Sequence, residues 1–250
     1  MKLSEIEMDS PVSITPDTTI YETLQIMQQN NRAYCGVVDE EKHLLGMVTK
    51  SDVAVVGLDD TARSIDILAH TSSENIRKTL NGQILYDDAD AVINGKVSII
   101  AMTMPERLDR YDVEKRIVIV GADTMAQKKC IQLGAGMLII VWADKVDESV
   151  IEEAKVHHCP IILSGHGTMN TSRYLYFAPS VERIMKRHPV SFHNHELAED
   201  VGVKMLRNRY RAYPVVDQND QLVGYISRYH IMDAPKRKLI LVDHNEFSQS

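Results

Sequence analysis

Two stretches of the chain, 4–53 and 182–231, carry the same pattern of apolar and polar positions at an offset of 178 residues. Ile6 and Pro11-Val12-Ser13-Ile14 correspond to Ile184 and Pro189-Val190-Ser191-Phe192. Val37-Val38-Asp39 corresponds to Val215-Val216-Asp217, and Leu44 to Thr49 corresponds to Leu222 to Ser227. Arg32-Ala33-Tyr34 recurs one residue out of register as Arg211-Ala212-Tyr213, where Cys35-Gly36 in the first copy faces Pro214 in the second. Agreement at so many special positions predicts one structural unit used twice.

Each copy predicts the same elements. A short strand follows the proline (Val12 to Ile14; Val190 to Phe192). A helix then buries Ile20, Leu24 and Met27 in the first copy, and Leu197, Val201, Met205 and Leu206 in the second, at helical spacing. Two strands joined by a polar turn come next: Tyr34 to Val38 and Leu44 to Thr49, then Tyr213 to Val216 and Leu222 to Ser227. The turn Asp217-Gln218-Asn219-Asp220 has suitable chemistry. Closing helices begin at Ser51 and Arg228. A β-α-β-β-α unit of this length has a small core and should pack against its twin.

Between about Ala62 and Pro179 the pattern changes to continuous apolar runs alternating with amphipathic stretches. Strands are expected at Val97 to Met102, Arg116 to Gly121, Met137 to Trp142 and Pro160 to Ser164. Helices are expected at Thr124 to Leu133, Glu148 to His157 and from Asn170. Such alternation predicts βαβ units and a mostly parallel sheet. The fold class is therefore α/β, an α+β repeat pair interrupted by a βαβ-type domain.

Composition narrows the function. The 250 residues are 44% hydrophobic and carry a net charge of −7, which disfavours general nucleic-acid binding because that needs a basic face. Cys35, Cys130 and Cys159 form no CxxC pair and read as reduced, intracellular thiols. No signal peptide and no membrane-length apolar run is seen, so a cytoplasmic protein is expected.

Pro214-Val215-Val216-Asp217 and Leu222-Val223-Gly224-Tyr225-Ile226-Ser227 resemble the signature of CBS domains, and the first copy carries the same signature with Gly36 in place of the proline. The resemblance covers roughly 100 residues. It implies a pseudo-twofold pair whose cleft binds AMP, ADP or ATP. The segment between the copies resembles a DRTGG domain by its order and pattern, although those letters do not occur in it. The expected ranges are 1–60 and 180–235 for the CBS domains, 61–179 for the DRTGG-like domain and 236–250 for the start of a catalytic region.

A nucleotide needs a slot for its base, an acceptor for its ribose and cations for its phosphates. The slot is expected from Val12, Ile14, Ala33 and Tyr34 in one copy and Val190, Phe192, Ala212 and Tyr213 in the other; the tyrosines could instead be core. The family's ribose-binding step is intact as Thr49-Lys50-Ser51-Asp52. In the second copy Ser227-Arg228-Tyr229-His230 puts histidine in the acceptor's place, which predicts unequal sites. Arg32, Lys50, Arg211 and Arg228 are the candidate phosphate cations, since guanidinium groups bind phosphate in charge-assisted pairs.

Two glycine-bearing loops, Gly121-Ala122-Asp123-Thr124 and Ser164-Gly165-His166-Gly167-Thr168, read as structural turns or as anion cradles, and neither matches a P-loop. His157-His158 and His193-Asn194-His195 lack zinc-site spacing and read as surface or helix-end histidines. No catalytic constellation is found.

The last residues, Leu239 to Val242 followed by Asp243-His244-Asn245, read as a buried strand that ends in a metal-capable triad. They resemble the Asp-His-Asn motif of family II inorganic pyrophosphatases of the DHH superfamily. Some of these carry a CBS–DRTGG–CBS insertion at this point. The resemblance implies a regulatory fragment without turnover, whose parent is inhibited by AMP and ADP and activated by ATP or diadenosine polyphosphates. It also implies manganese or cobalt held by Asp243 in the whole enzyme, and homodimers formed through the CBS and DRTGG domains. Alternatives are a nucleotide-sensing or dimerisation module of another enzyme or transporter, and an enzyme with its site in the middle domain.

Overall fold

The computed structural model describes residues 1–58, 62–100, 105–208 and 210–234. The first repeat runs β1 (Ser13–Ile14), α1 (Ile20–Gln29), β2 (Tyr34–Val38), β3 (Leu44–Thr49) and α2 (Lys50–Leu58). The middle segment follows as α3 (Ala62–Ala69), α4 (Ser73–Thr79), β4 (Gln83–Tyr86), β5 (Val97–Ile100), β6 (Ile117–Val120), α5 (Thr124–Gln132), β7 (Met137–Ile140), α6 (Glu148–Val156), β8 (Ile161–Leu163) and α7 (Thr168–Leu175). The second repeat comprises β9 (Lys186–Arg187), β10 (Phe192–His193), α8 (Ala198–Arg207), β11 (Tyr213–Val216), β12 (Leu222–Ile226) and a helix, α9, over 228–234. By proximity the chain falls into two compact units. One holds Met1–Pro16, Ile26–Lys50 and the chain from Ile184 onward; the other holds Asp17–Gln25 and Ser51–Arg183.

In the first unit each repeat completes the sheet of the other. Strand β9, which leads into the second repeat, pairs antiparallel with β3 of the first (Gly46↔Arg187, Met47↔Lys186). At the equivalent place Asp9, which leads into the first repeat, pairs with Tyr225 of β12, each amide bonding the other's carbonyl at 2.9 and 3.0 Å. His43 bridges Gln221, its own counterpart in the repeat. Leu44 N–H donates to the Asp220 carbonyl and Leu222 N–H to the Lys42 carbonyl, which are again equivalent positions (3.2 and 3.0 Å). Reciprocal bonds of this kind define a pseudo-twofold axis between His43 and Gln221.

The signature glycines serve this crossing. A Cβ on Gly46 would lie 2.7 Å from the Met185 sulfur, and one on Gly224 would lie 2.5 Å from that of Met8. The break in symmetry at Gly36, where the second repeat has Pro214, also has a cause. The Tyr225 hydroxyl accepts from Gly36 N–H (2.7 Å) and donates to the Val12 carbonyl (2.5 Å), and proline has no N–H to offer. Tyr225 is fully buried beside Val38, Met47 and Leu222.

Asp9 is the polar counterpart of this apolar seam. Its carboxylate pairs with Arg32 at 2.7 Å and accepts from the Tyr34 hydroxyl at 2.9 Å, with His230 Nε2 at 3.8 Å. Partial burial pushes the Asp9 carboxyl up, but bonds from Arg32 and Tyr34 outweigh it and hold the group below the usual carboxylate range.

The second unit contains a five-stranded sheet in the order β4-β8-β7-β6-β5, parallel from β5 to β8, with β4 antiparallel at the β8 edge. Strands β6 and β7 are buried along their whole length, as expected for a sheet covered on both faces. One face packs against Ala126 and Ile131 of α5 and Val150 and Ala154 of α6. The other packs against Leu68 of α3, Ile76 of α4 and Leu175 of α7. The edge strand β4 has no sequence signal strong enough to be expected. All three cysteines are buried, and burial pushes the Cys35 and Cys159 thiols up to about 12 and Cys130 to about 11, which makes them packing residues. No helix among the described residues is long and apolar enough to cross a membrane.

In the second repeat, Val201 and Met205 are buried as the helical spacing predicts, whereas Leu197 and Leu206 are exposed. Leu197 precedes the helix as its N-cap residue and so lies off the core-facing stripe.

Two stability measurements follow. Tyr225→Phe strands the Gly36 amide and the Val12 carbonyl, so chemical denaturation should show a loss of about 1–3 kcal/mol. Asp9→Asn should lower stability by roughly 1–2 kcal/mol at neutral pH after allowance for partial exposure. Because the folded-state pKa of Asp9 is depressed, its contribution is present above the unfolded value and is lost as pH falls through the folded one. The gap between wild type and Asp9→Asn should therefore be constant near neutrality and close below about pH 4.

Candidate functional site

An open pocket of ≈ 690 Å³ lies in the second repeat, lined by Leu206, Tyr210, Arg211, Ser227, Arg228 and Tyr229. Three of these, Arg211, Ser227 and Arg228, are residues that the sequence nominates for a nucleotide. They meet because the irregular segment after α8 brings Arg211 beside the β12–α9 junction, which carries Ser227 and Arg228. Leu206 is 72% exposed and Tyr229 78%, so both present apolar area to a ligand without leaving the core open.

The pocket has two of the three kinds of group that a nucleotide needs, an aromatic ring and cations. Tyr210 offers a ring for the base, with Lys186 Nζ 4.4 Å from its centroid and bonded to its hydroxyl. Arg211 is exposed and free to turn toward phosphate. Arg228 is held instead: its Nη2 donates to the carbonyls of Met205 (2.7 Å) and Asn208 (3.0 Å), the open end of α8. Cations at a helix C-terminus are favourable, so the helix itself orients this guanidinium.

Ser227 and His230 form a helix cap. The Ser227 amide donates to His230 Nδ1 at 3.0 Å, and the Ser227 hydroxyl lies 2.8 Å from the same nitrogen. With Nδ1 so engaged, only Nε2 is left to face outward, toward Asp9. The histidine at the family's carboxylate position is thus a capping group. It is not a two-point acceptor for a ribose diol. In the first repeat Asp52 remains, partly buried in the first turn of α2.

The remaining nominated residues fall elsewhere. Arg32 and Tyr34 belong to the Asp9 cluster, where the Arg32 charge is met at 2.7 Å and its Nε is buried without a partner. The Tyr34 hydroxyl is pushed up to about 12, by burial first and then by Asp9. Its ring sits edge-on to Tyr225 at 4.9 Å. Val12 is half-buried and accepts the Tyr225 bond; Ala33 and Lys50 are exposed and joined by a 2.9 Å backbone bond; Thr49 is half-buried.

Ile14, Phe192 and Ala212 are buried, and Val190 packs against the same core as Phe192. Tyr213, expected as a slot wall, does not line the pocket. It is fully buried against Phe192 (5.2 Å) and Tyr210 (5.8 Å) and donates to the Asn208 carbonyl at 2.7 Å. Tyr213 opens β11, which is buried along its length, and Tyr210, in the irregular segment before it, lines the pocket instead. Asp243 lies outside the described residues.

Residues missed from sequence are Asp9, Tyr210, Tyr225 and Tyr229. Tyr210 adjoins the nominated Arg211, Tyr229 lies between the nominated Arg228 and His230, and Tyr225 lies within the signature string, whereas Asp9 carried no local signal. Among the nominated loops, the Asp123 carboxylate caps α5 by accepting from Ala126 N–H at 2.7 Å, a structural role. His157 ends α6, and His158 bonds Asp88 at 3.0 Å.

The DRTGG domain family matches residues 75–177, and the CBS domain family matches residues 3–58 and 181–237. The chain is 32% identical over 252 residues to the cobalt-dependent inorganic pyrophosphatase of Clostridium perfringens, covering 100% of this chain and 46% of that protein. It is 24% identical over 249 residues to the probable manganese-dependent inorganic pyrophosphatase of Thermotoga maritima, covering 99% and 45%. The chain thus spans about half the length of the curated relatives it matches. Among solved structures it superposes on the CBS and DRTGG domains of the regulatory region of Clostridium perfringens pyrophosphatase, complexed with the activator diadenosine tetraphosphate. The TM-score is 0.81 at 30% identity, over 91% of this chain and 100% of that one. With two CBS halves on either side of a DRTGG domain, in the order and fold of that region, the chain belongs to the family of CBS–DRTGG regulatory regions of inorganic pyrophosphatases.

Proposed function

We propose that this region senses adenine nucleotides for a manganese- or cobalt-dependent inorganic pyrophosphatase, with AMP and ADP inhibiting and ATP or diadenosine polyphosphates activating. The observation that carries the reading is the convergence of Arg211, Arg228 and Tyr210 on one pocket of the second CBS repeat. Likeness to a regulatory region complexed with diadenosine tetraphosphate supports it.

Control requires that ligands differ in their preference for two conformations, with coupling typically of about 1–3 kcal/mol. The pocket offers a route. A phosphate drawing on Arg228 competes with the Met205 and Asn208 carbonyls, so ligands that engage this guanidinium to different extents leave the end of α8 in different states. Homodimers formed through the CBS and DRTGG domains would set two such pockets within reach of one dinucleotide. The catalytic domains and their metal belong to the longer protein.

Calorimetric titration with AMP and diadenosine tetraphosphate tests the site. Tyr210→Ala should weaken binding roughly 5- to 150-fold, the loss of one base–ring stack. Arg211→Ala should weaken diadenosine tetraphosphate binding about tenfold or more, as expected for a charge-assisted phosphate contact. Unchanged binding in both variants would remove the pocket from consideration. In the full-length enzyme AMP should lower turnover and diadenosine tetraphosphate raise it; indifference to both would end the regulatory reading.

A further inference from the structure

The DRTGG domain holds a second cavity, of ≈ 630 Å³, at the carboxyl ends of β7 and β8. Its position follows from the way the chain winds. After β7 the chain turns to α6, which packs on one face of the sheet; after β8 it turns to α7, which packs on the opposite face. The two loops leave adjacent parallel strands in opposite directions and open a crevice between them. In open α/β sheets a crevice of this origin is where ligands bind. Its volume lies in the range of small-molecule sites, roughly 300–1,000 Å³.

One wall is Trp142, the single tryptophan of the chain, which is 75% exposed. It is held in place despite that exposure. Its backbone adopts φ +59°, an uncommon conformation for a bulky residue. Its indole N–H donates to the Thr168 hydroxyl at 3.1 Å. Its ring rests on Gly167, where a Cβ would meet it at 2.4 Å. Three separate features therefore fix a flat aromatic surface that the core does not use.

The polar groups around it indicate the ligand. Asn81 and Gln83 line the cavity with side-chain amides, each a donor and an acceptor, matched to the edge of a heteroaromatic ring. Asp144 adds a carboxylate able to accept from hydroxyl groups. Among the described lining residues there is no lysine or arginine to balance a phosphate. We infer that the crevice between the β7 and β8 loops of the DRTGG domain is a binding site for a purine nucleoside, its base stacked on Trp142 and its sugar hydroxyls turned to Asp144.

Trp142 makes the test direct, since all tryptophan emission comes from this wall. The intact chain is titrated with adenosine, guanosine and AMP. Both nucleosides or one of them should quench emission saturably, and AMP should bind more weakly because Asp144 faces its phosphate. Gly167→Ala, which displaces the ring, and Asp144→Ala, a surface change that spares the fold, should each weaken nucleoside binding at least about tenfold. Tyr210→Ala, in the CBS pocket, should leave the quenching curve unchanged, which separates this site from the one proposed above. No saturable quenching at millimolar nucleoside would overturn the inference. So would a signal abolished by Tyr210→Ala and retained in Asp144→Ala.

Discussion

The CBS half of this chain depends on one reciprocal exchange: the segment leading into each repeat is hydrogen-bonded to the last strand of the other. Asp9 on Tyr225 and Arg187 on Gly46 are the two arms of that exchange. Each repeat has too few residues to close a core alone, and the exchange supplies the missing edge from its twin. Leu3 and Ile6 accordingly lie in the core of the second repeat, among Phe192, Val201 and Tyr213. Gly46 and Gly224 sit where the crossing chains come close: a Cβ would stand 3.0 Å from the Lys186 carbonyl oxygen in one and 2.8 Å from that of Asp9 in the other.

Tyr225 and Asp9 tie this exchange to the polar groups around it. Tyr225 bonds Gly36 of β2 and Val12 just ahead of β1 in the opposite repeat, and the Asp9 carboxylate gathers Arg32, Tyr34 and His230. His230 in turn caps the helix that begins with Arg228, a wall of the second-repeat pocket. The Arg228–His230 turn thus brings the His230 ring to 3.8 Å from the Asp9 carboxylate, beside the charged cluster of the other repeat. The low dielectric of the seam makes each link sensitive to its neighbours.

The DRTGG domain follows a different logic. Its parallel strands are apolar on both faces, so helices must cover both, and the change of face after β8 opens the crevice beside Trp142. No comparable demand acts at β6, whose following helix α5 shares a face with α6. The Gly121 loop that looked equivalent in sequence accordingly serves as a plain helix cap.

The sequence by itself determined the duplication, the order of strands and helices in both repeats, and the parallel character of the inserted sheet. These are local or periodic properties, written in apolar spacing, turn residues and matched positions. It could not determine which of several aromatic residues lines the pocket. Tyr213 and Tyr210 are three residues apart; Tyr213 opens β11, which is buried along its length, whereas Tyr210 lies in the irregular segment before it and stays at the surface. Nor could it place Asp9 beside Arg32 and His230, or Trp142 over Gly167, because these contacts join residues far apart in the chain. Tertiary structure decided them, since a charge or a ring acquires its role from the neighbours that folding brings within a few ångströms.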